Sequence, residues 1–385
     1  MNRVTRLTGS AVAAILLLTS QAVAGVTIEA GTTIVGQQTS KQNNSINRDV
    51  VGSIDLVMGI DVGAGRLHIY GEGSSTPATS ASTVIAGANA DAGTAVDRDG
   101  KGRIQLSGIA YGIDFDPLHI SIGIQDLTIF ADATAVSNDE TSQFLADSLV
   151  NNPAIAFPDY TPSVIFNYGG RDAVGVTVMV GNGYGLGDNP DRSYAELLKF
   201  GREKSSGLKK GLFTLAELHL PGEVGFRLGG WGRSSELPQH LGGANRSRTF
   251  GVYANADGAV DEATLWSARL GWNNAKATDE TISHASLAIE HSYAENHLIA
   301  LGVAWNGLSS DFKSTFTNAA NPVVAELYYR WQINDYVAIS PDVQYRSNTN
   351  ALSATTAGTV GGSTWVYGLR VQVGASHQAF HAEAE

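Results

Sequence analysis

The chain of 385 residues contains no cysteine, which excludes a disulfide framework and thiol chemistry. It also lacks long apolar runs: no stretch approaches the ~20 residues that a membrane-spanning helix needs. A protein with this sequence can cross a bilayer only as a closed barrel, the other structure that satisfies every backbone polar group in lipid. Positive charge is scarce. Twenty-five Lys and Arg stand against 37 Asp and Glu, a formal net charge of −12, and that balance argues against a nucleic-acid partner. The nine His are scattered without His-Glu-x-x-His spacing, and there is no Gly-x-Ser-x-Gly elbow. Hydrolytic and metal chemistry therefore lack their usual carriers, and no enzyme activity, metal or cofactor is expected.

What is present begins with an export signal. Arg3 and Arg6 form a basic start, Ala11–Leu18 a short apolar core, and Ala22-Val23-Ala24 a small-residue cleavage site before Gly25. Residues 1–24 thus read as a signal peptide rather than an anchor, because the apolar core is too short to cross ~30 Å of hydrocarbon. Removing it leaves a mature chain with a formal charge of −14. Mean hydropathy is −0.05, close to neutral, as expected when apolar and polar residues alternate and cancel.

The alternation is clearest between Val324 and Arg346. Successive strand side chains point to opposite faces, so Leu327, Tyr329 and Trp331 share one face and Glu326, Tyr328 and Arg330 the other. After a turn at Asn334-Asp335, Val337, Ile339, Pro341, Val343 and Tyr345 alternate with Ala338, Ser340, Asp342, Gln344 and Arg346. The same pattern puts Ile54, Leu56, Met58 and Ile60 opposite Ser53, Asp55, Gly59 and Asp61. It recurs at Leu118–Leu127 and at Thr364–Gly374. Trp266, Trp272, Trp331 and Trp365 fall at apolar parity near strand ends, where membrane barrels carry aromatic girdles and a secreted soluble β-protein has no need of them. The fold expected is an all-β, antiparallel transmembrane barrel of about 16 strands over residues 25–374. Fifteen strands are readable, and a sixteenth belongs to the weak N-terminal signal at Val26–Val35 or to a loop; residues 375–385 form a tail.

Two interruptions stand out. Ala131–Thr161 contains a helical-looking stretch, Asp139–Val150, followed by Pro153, Pro158 and Pro162. A strandless segment of this length is usually functional or disordered, and inside a barrel it can narrow the lumen. Asp188–Lys210 carries a second helix candidate, Tyr194–Arg202. Asp97-Arg-Asp-Gly-Lys-Gly102 imitates the start of a calcium loop, but Lys101 replaces an oxygen ligand and Gly108 the terminal Glu, so a plain turn is expected.

Glu326-Leu-Tyr-Tyr-Arg330 followed by Pro341-Asp-Val-Gln-Tyr345 resembles the C-terminal signature of the carbohydrate-selective porins of the OprB type. Gly123-Ile-Gln-Asp126, Phe144-Leu145, Asn151-Asn-Pro153, Phe226-Arg-Leu-Gly-Gly-Trp231 and Tyr367-Gly-Leu-Arg370 follow the family's order, so the match runs from about Val50 to Gly374. Three of the family's features are missing: the Trp-Gly-Gly segment before the first strand, a terminal Phe after the last strand (the tail Ala375–Glu385 continues past Phe380), and the Pro after the Gln-Tyr strand, where Ser347-Asn348 stands. The resemblance implies a sixteen-stranded outer-membrane barrel through which sugars diffuse passively. It implies lipid and the barrel-assembly machinery as partners, and a monomer or a homotrimer. A general or ion-selective porin, or a structural envelope barrel, is the alternative reading.

A neutral polyol crossing a pore exchanges its hydration for hydrogen bonds to the wall without entering a deep well. Paired guanidinium and carboxylate groups supply donors and acceptors while cancelling net field. The inward-parity candidates for solute contact are Arg227, Arg233, Arg269, Glu290, Glu326, Arg330, Asp342, Arg346 and Arg370. Glu326 and Arg330, four residues apart on one face of one strand, are expected to share a solute at the narrow zone.

Overall fold

The computed structural model describes residues 25–40, 46–76, 87–169, 173–188, 192–199, 201–204, 206–316, 319–348 and 362–374. The expected signal peptide and the C-terminal tail lie outside these residues.

Sixteen antiparallel strands close into a single barrel. In chain order they are β1 (Val26–Thr39), β2 (Arg48–Val62), β3 (Gly65–Ser74), β4 (Ile104–Phe115), β5 (Leu118–Gln125), β6 (Thr161–Tyr168), β7 (Gly175–Asn182) and β8 (Leu212–Leu220). They continue with β9 (Val224–Arg233), β10 (Thr249–Asp261), β11 (Thr264–Asn273), β12 (Thr281–Ala294), β13 (His297–Leu308), β14 (Val323–Asn334), β15 (Val337–Arg346) and β16 (Thr364–Gly374). The sixteenth strand is the N-terminal one. β1 pairs with β2 along most of its length and with β16 from Gly31↔Gly374 to Thr39↔Val366, which removes both sheet edges. Its alternation is faint in sequence because Val35 points inward while Thr32, Gly36 and Gln38 point outward.

All seven connections at the end that holds both barrel termini are short, from two residues (as at Gly63-Ala64) to six; the eight at the opposite end are longer. The inferred register holds. Leu327 and Trp331 are exposed and Glu326 and Tyr328 buried on β14, and Trp365, Tyr367 and Leu369 alternate with buried Val366 and Arg370 on β16. Trp272, Trp331 and Trp365 are each more than 40% exposed on the outer wall. Towards the short-turn end, Tyr293, His297, Tyr329 and Trp331 form a stack of nearly parallel rings. Towards the other end, Phe250 packs edge-on against Trp272 and Tyr345 against Trp365. Two aromatic belts flanking an apolar band are what a bilayer requires of a barrel's outer surface.

The helix expected over Asp139–Val150 shrinks to one turn, α1 (Asp147–Val150). The Asp139 carboxylate accepts from Thr141 N and the Thr141 and Ser142 hydroxyls, and Gln143 Oε1 accepts from Asn138 N. Such local side-chain bonds compete with helix formation. The second candidate also shortens, to α2 (Tyr194–Leu197). An isolated bridge between Arg202 and Lys209 turns the chain back before another turn can form. α3 (Ser310–Thr315), capped by the Ser309 hydroxyl, lies in the connection from β13 to β14. The Asp97–Gly102 stretch is the expected turn, its Asp97 carboxylate accepting from Asp99 N and Lys101 N.

Candidate functional site: the lumen and the segments folded into it

The β5–β6 connection, residues 126–160, crosses the lumen to the opposite wall. Val136, Phe144, Ala146 and Leu149 pack against inward Ala288, Ala300, Ala304, Val324 and Tyr328 of β12, β13 and β14. Phe144 meets the Tyr328 ring edge-on at 5.1 Å. The near part of the segment joins a second apolar cluster, in which Leu127, Ala131 and Ile155 contact Ile165, Met179, Phe213, Trp231 and Tyr253. Small wall residues make room for it. A Cβ on Gly302 would sit 2.7 Å from Leu149, and one on Gly271 would sit 2.5 Å from Asn152. A second insertion, missed in sequence, comes from the β3–β4 connection. The carbonyl of Ala88 accepts from Gln37 and from Gln344, and that of Gly87 from Arg346.

These insertions change what the inward charges do. Arg269, Glu326, Arg346 and Arg370 are each at most 2% exposed and are bonded to inserted backbone rather than open to the passage. Arg370 donates to the carbonyls of Glu140 (2.8 Å) and Gln143 (2.7 Å), with its guanidinium 5.7 Å above the Tyr328 ring. Glu326 accepts from Leu145 N and Ala146 N. Arg346 also reaches the Asp147 carboxylate at 3.5 Å. Asp342 is buried on β15 and accepts from Gln344 at 3.2 Å. The expectation that Glu326 and Arg330 share a solute does not hold, since Glu326 lies beneath the segment. Sequence parity located the inner wall, but parity is silent on which part of that wall a long-range insertion covers.

The remaining candidates keep partial exposure. The Arg227 side chain is 20% exposed and pairs with Asp257 at 3.2 Å, while donating to the Ala133 carbonyl. Arg233 is 14% exposed and meets Asp279 at 3.5 Å. Arg330 is half-buried and donates to Gln372 (2.7 Å) and Gln332 (3.1 Å). Glu290 accepts from the Tyr328 hydroxyl at 3.2 Å. Asp257 and Asp279 were missed, although Asp257 has inward parity on β10 one strand from Arg227. In the inserted segment, burial pushes the Asp132 carboxyl up from its ordinary value, against the opposing pull of the Arg269 guanidinium 3.2 Å away. Among the described residues no group of three or more His, Asp and Glu is placed to hold a metal ion.

A polar lumen narrowed by a wall-bound segment is the geometry of a diffusion pore, and comparison with known proteins identifies its type. Residues 53–373 match the model of the OprB family, carbohydrate-selective porin. The chain belongs to the carbohydrate-selective porin family. The barrel superposes on OprB of Pseudomonas putida with a TM-score of 0.71, covering 91% of this chain and 94% of that one at 15% identity. The anion-selective porin of Comamonas acidovorans (TM-score 0.55, 10% identity, 91% and 100% covered) and OmpT of Vibrio cholerae (0.51, 10%, 92% and 100%) share the fold more loosely. An uncharacterized protein of Aquifex aeolicus is 34% identical over 100 residues, 26% of this chain; the aligned stretch spans only 31% of that relative. Membership accounts for the Glu326–Arg330 and Pro341–Tyr345 strands, which lie side by side as β14 and β15 with Glu326 opposite Gln344.

Proposed function

We propose that this carbohydrate-selective porin passes small neutral polyols across the outer membrane by passive diffusion. The observation that carries the reading is the pairing of two of the four partly exposed candidate charges of the lumen with carboxylates. Arg227 faces Asp257 and Arg233 faces Asp279, and among the described residues Arg330 is hydrogen-bonded to the neutral side chains of Gln332 and Gln372. Such a wall offers donors and acceptors to hydroxyl groups with little net field to favour an ion. Each contact is weak and partly hydrated, so a sugar can exchange one for the next.

On the same reading the precursor is exported, cleaved before Gly25 and inserted by the barrel-assembly machinery. The expected product is an outer-membrane protein with an N-terminus near Gly25 that migrates faster unheated than boiled in detergent gels. A homotrimer and a monomer are separated by cross-linking in native membranes. Liposome swelling with the purified protein tests the transport reading: neutral hexoses should enter faster than sugar acids or amino sugars of equal size. Equal entry of all three, or fast entry of one charged class, favours a general or ion-selective porin. No swelling at all favours a structural barrel.

A further inference from the structure

We infer that Arg269 is the positioning residue that sets the width of the pore. It projects inward from β11, five strands along the barrel from β6, where the inserted segment ends, and is 2% exposed. Its Nη1 donates to the carbonyls of Leu149 (3.0 Å) and Val150 (3.1 Å) at the end of α1. Its Nη2 donates to the carbonyl of Asp132 (2.9 Å), to that of Ser137 (2.5 Å) and to Asn138 Oδ1. Nε shares the Asp132 carbonyl and lies 3.2 Å from the Asp132 carboxylate. One planar fork thus gathers two stretches of the segment, residues 132–138 and 149–150, that have no helix or sheet holding them together. Only a guanidinium offers five donors in a fixed plane.

The surrounding contacts are arranged to serve this fork. Asp132 N donates to Glu217 (2.8 Å), and Asn255 donates to the Asp132 carboxylate (3.2 Å). Ser137 Oγ and Ser267 Oγ lie 3.3 Å apart beside it. Asn273 from the same strand takes the Ala154 carbonyl. A carbonyl left without its donor in this buried place favours release of the chain into the wet lumen, where water satisfies it. The segment is therefore a fixed rim fastened at Arg269 rather than a moving gate, and the solute size limit is a property of this fastening.

The inference rests on the chain being a diffusion pore, and the test separates the two. Wild-type and Arg269→Gln proteins are compared in planar bilayers for conductance, current noise and exclusion of malto-oligosaccharides of increasing length. Arg269→Gln should raise conductance, add open-channel noise and lose the wild-type size limit, while keeping heat-modifiable migration. A second pair of substitutions, Ser137→Cys with Ser267→Cys in the Arg269→Gln protein, re-fastens the segment through a disulfide. No other cysteine exists in the chain, and the two hydroxyls already face each other at 3.3 Å. Oxidation should restore the quiet, size-limited pore, and reduction should abolish it again. Unchanged conductance and exclusion in Arg269→Gln overturn the inference. So does a widened pore that oxidation leaves unaltered, since the barrel itself would then be distorted. If Arg269→Gln does not insert, Arg269→Lys, which keeps the charge beside Asp132 but not the fork, takes its place. Failure of both to insert makes Arg269 a folding residue and also overturns the inference. A silent wild-type protein overturns the pore reading instead.

Discussion

The carboxylate of Glu326 on β14 accepts the backbone N–H of Leu145 at 2.8 Å, although 181 residues separate the two in the chain. It takes the adjacent N–H of Ala146 as well. Two hydrogen bonds of this kind are each worth about 0.5–1.5 kcal/mol, and leaving both amides without an acceptor in a buried place costs about 1–3 kcal/mol. Glu326→Ala should therefore loosen the far end of the segment while the ladder of β14 with β13 and β15 persists. Hydrogen exchange at Leu145 and Ala146 should accelerate at least tenfold. Unchanged protection at both amides would show that the apolar cluster around Phe144 suffices to hold this end.

The assignment of outer and inner faces is tested by moving a cation. Leu327→Arg places a charge on the lipid face and should cost up to about 2–4 kcal/mol near the midplane. Asn167 points inward on β6 and is partly exposed, so Asn167→Arg should be tolerated. Val343→Arg should also fail, but Gln344→Arg is no suitable control, because Gln344 is buried against Ala88. Equal yields of refolded, heat-modifiable Leu327→Arg and Asn167→Arg barrels would contradict the register.

The Arg227–Asp257 pair is expected to set charge balance rather than stability, since partly exposed pairs contribute about 0.2–1 kcal/mol. Arg227→Gln should shift the reversal potential in a salt gradient towards cation preference, and Asp257→Asn towards anion preference. The double substitution should return it close to the wild-type value. Two single variants that both leave the reversal potential unmoved would place the pair outside the conducting path.

Acid dependence is expected at the long-loop end. Burial pushes the Glu280 carboxyl, in the β11–β12 connection, up to about 7 from an ordinary value near 4.5. A carboxyl raised in the folded state binds its proton more tightly there than when unfolded. Its stabilising contribution is full below about pH 4.5 and is lost as pH rises through 7. The contact of its carbonyl with Ser309 N should weaken in the same window. Limited proteolysis in residues 274–280 should increase between pH 5 and 8, and Glu280→Gln should remove that increase. A Glu280→Gln protein with the wild-type pH profile would contradict the assignment.

Much of the barrel was legible because a lipid-facing strand has no freedom in its period. Leu369 cannot trade places with Arg370 without putting a charge in hydrocarbon. β1 was faint because Thr32 and Gln38 face outward while Val35 faces inward. The lumen was less legible. Whether Arg346 meets a solute or the Gly87 carbonyl depends on where a connection 259 residues away comes to rest, and no short-range pattern encodes that. The helix expected at Asp139–Val150 failed for a local reason that was visible, the hydrogen-bonding side chains of Asp139, Thr141 and Gln143.

The central claim is that neutral sugars bind transiently to the paired charges of the lumen and pass through. Single-channel recording of the purified wild-type protein in planar bilayers, with neutral malto-oligosaccharides added to one side, measures this directly. The account predicts reversible, concentration-dependent current block that saturates, together with weak ion selectivity in the absence of sugar. Ohmic current unaffected by sugars, with a strong preference for cations or anions, would contradict it.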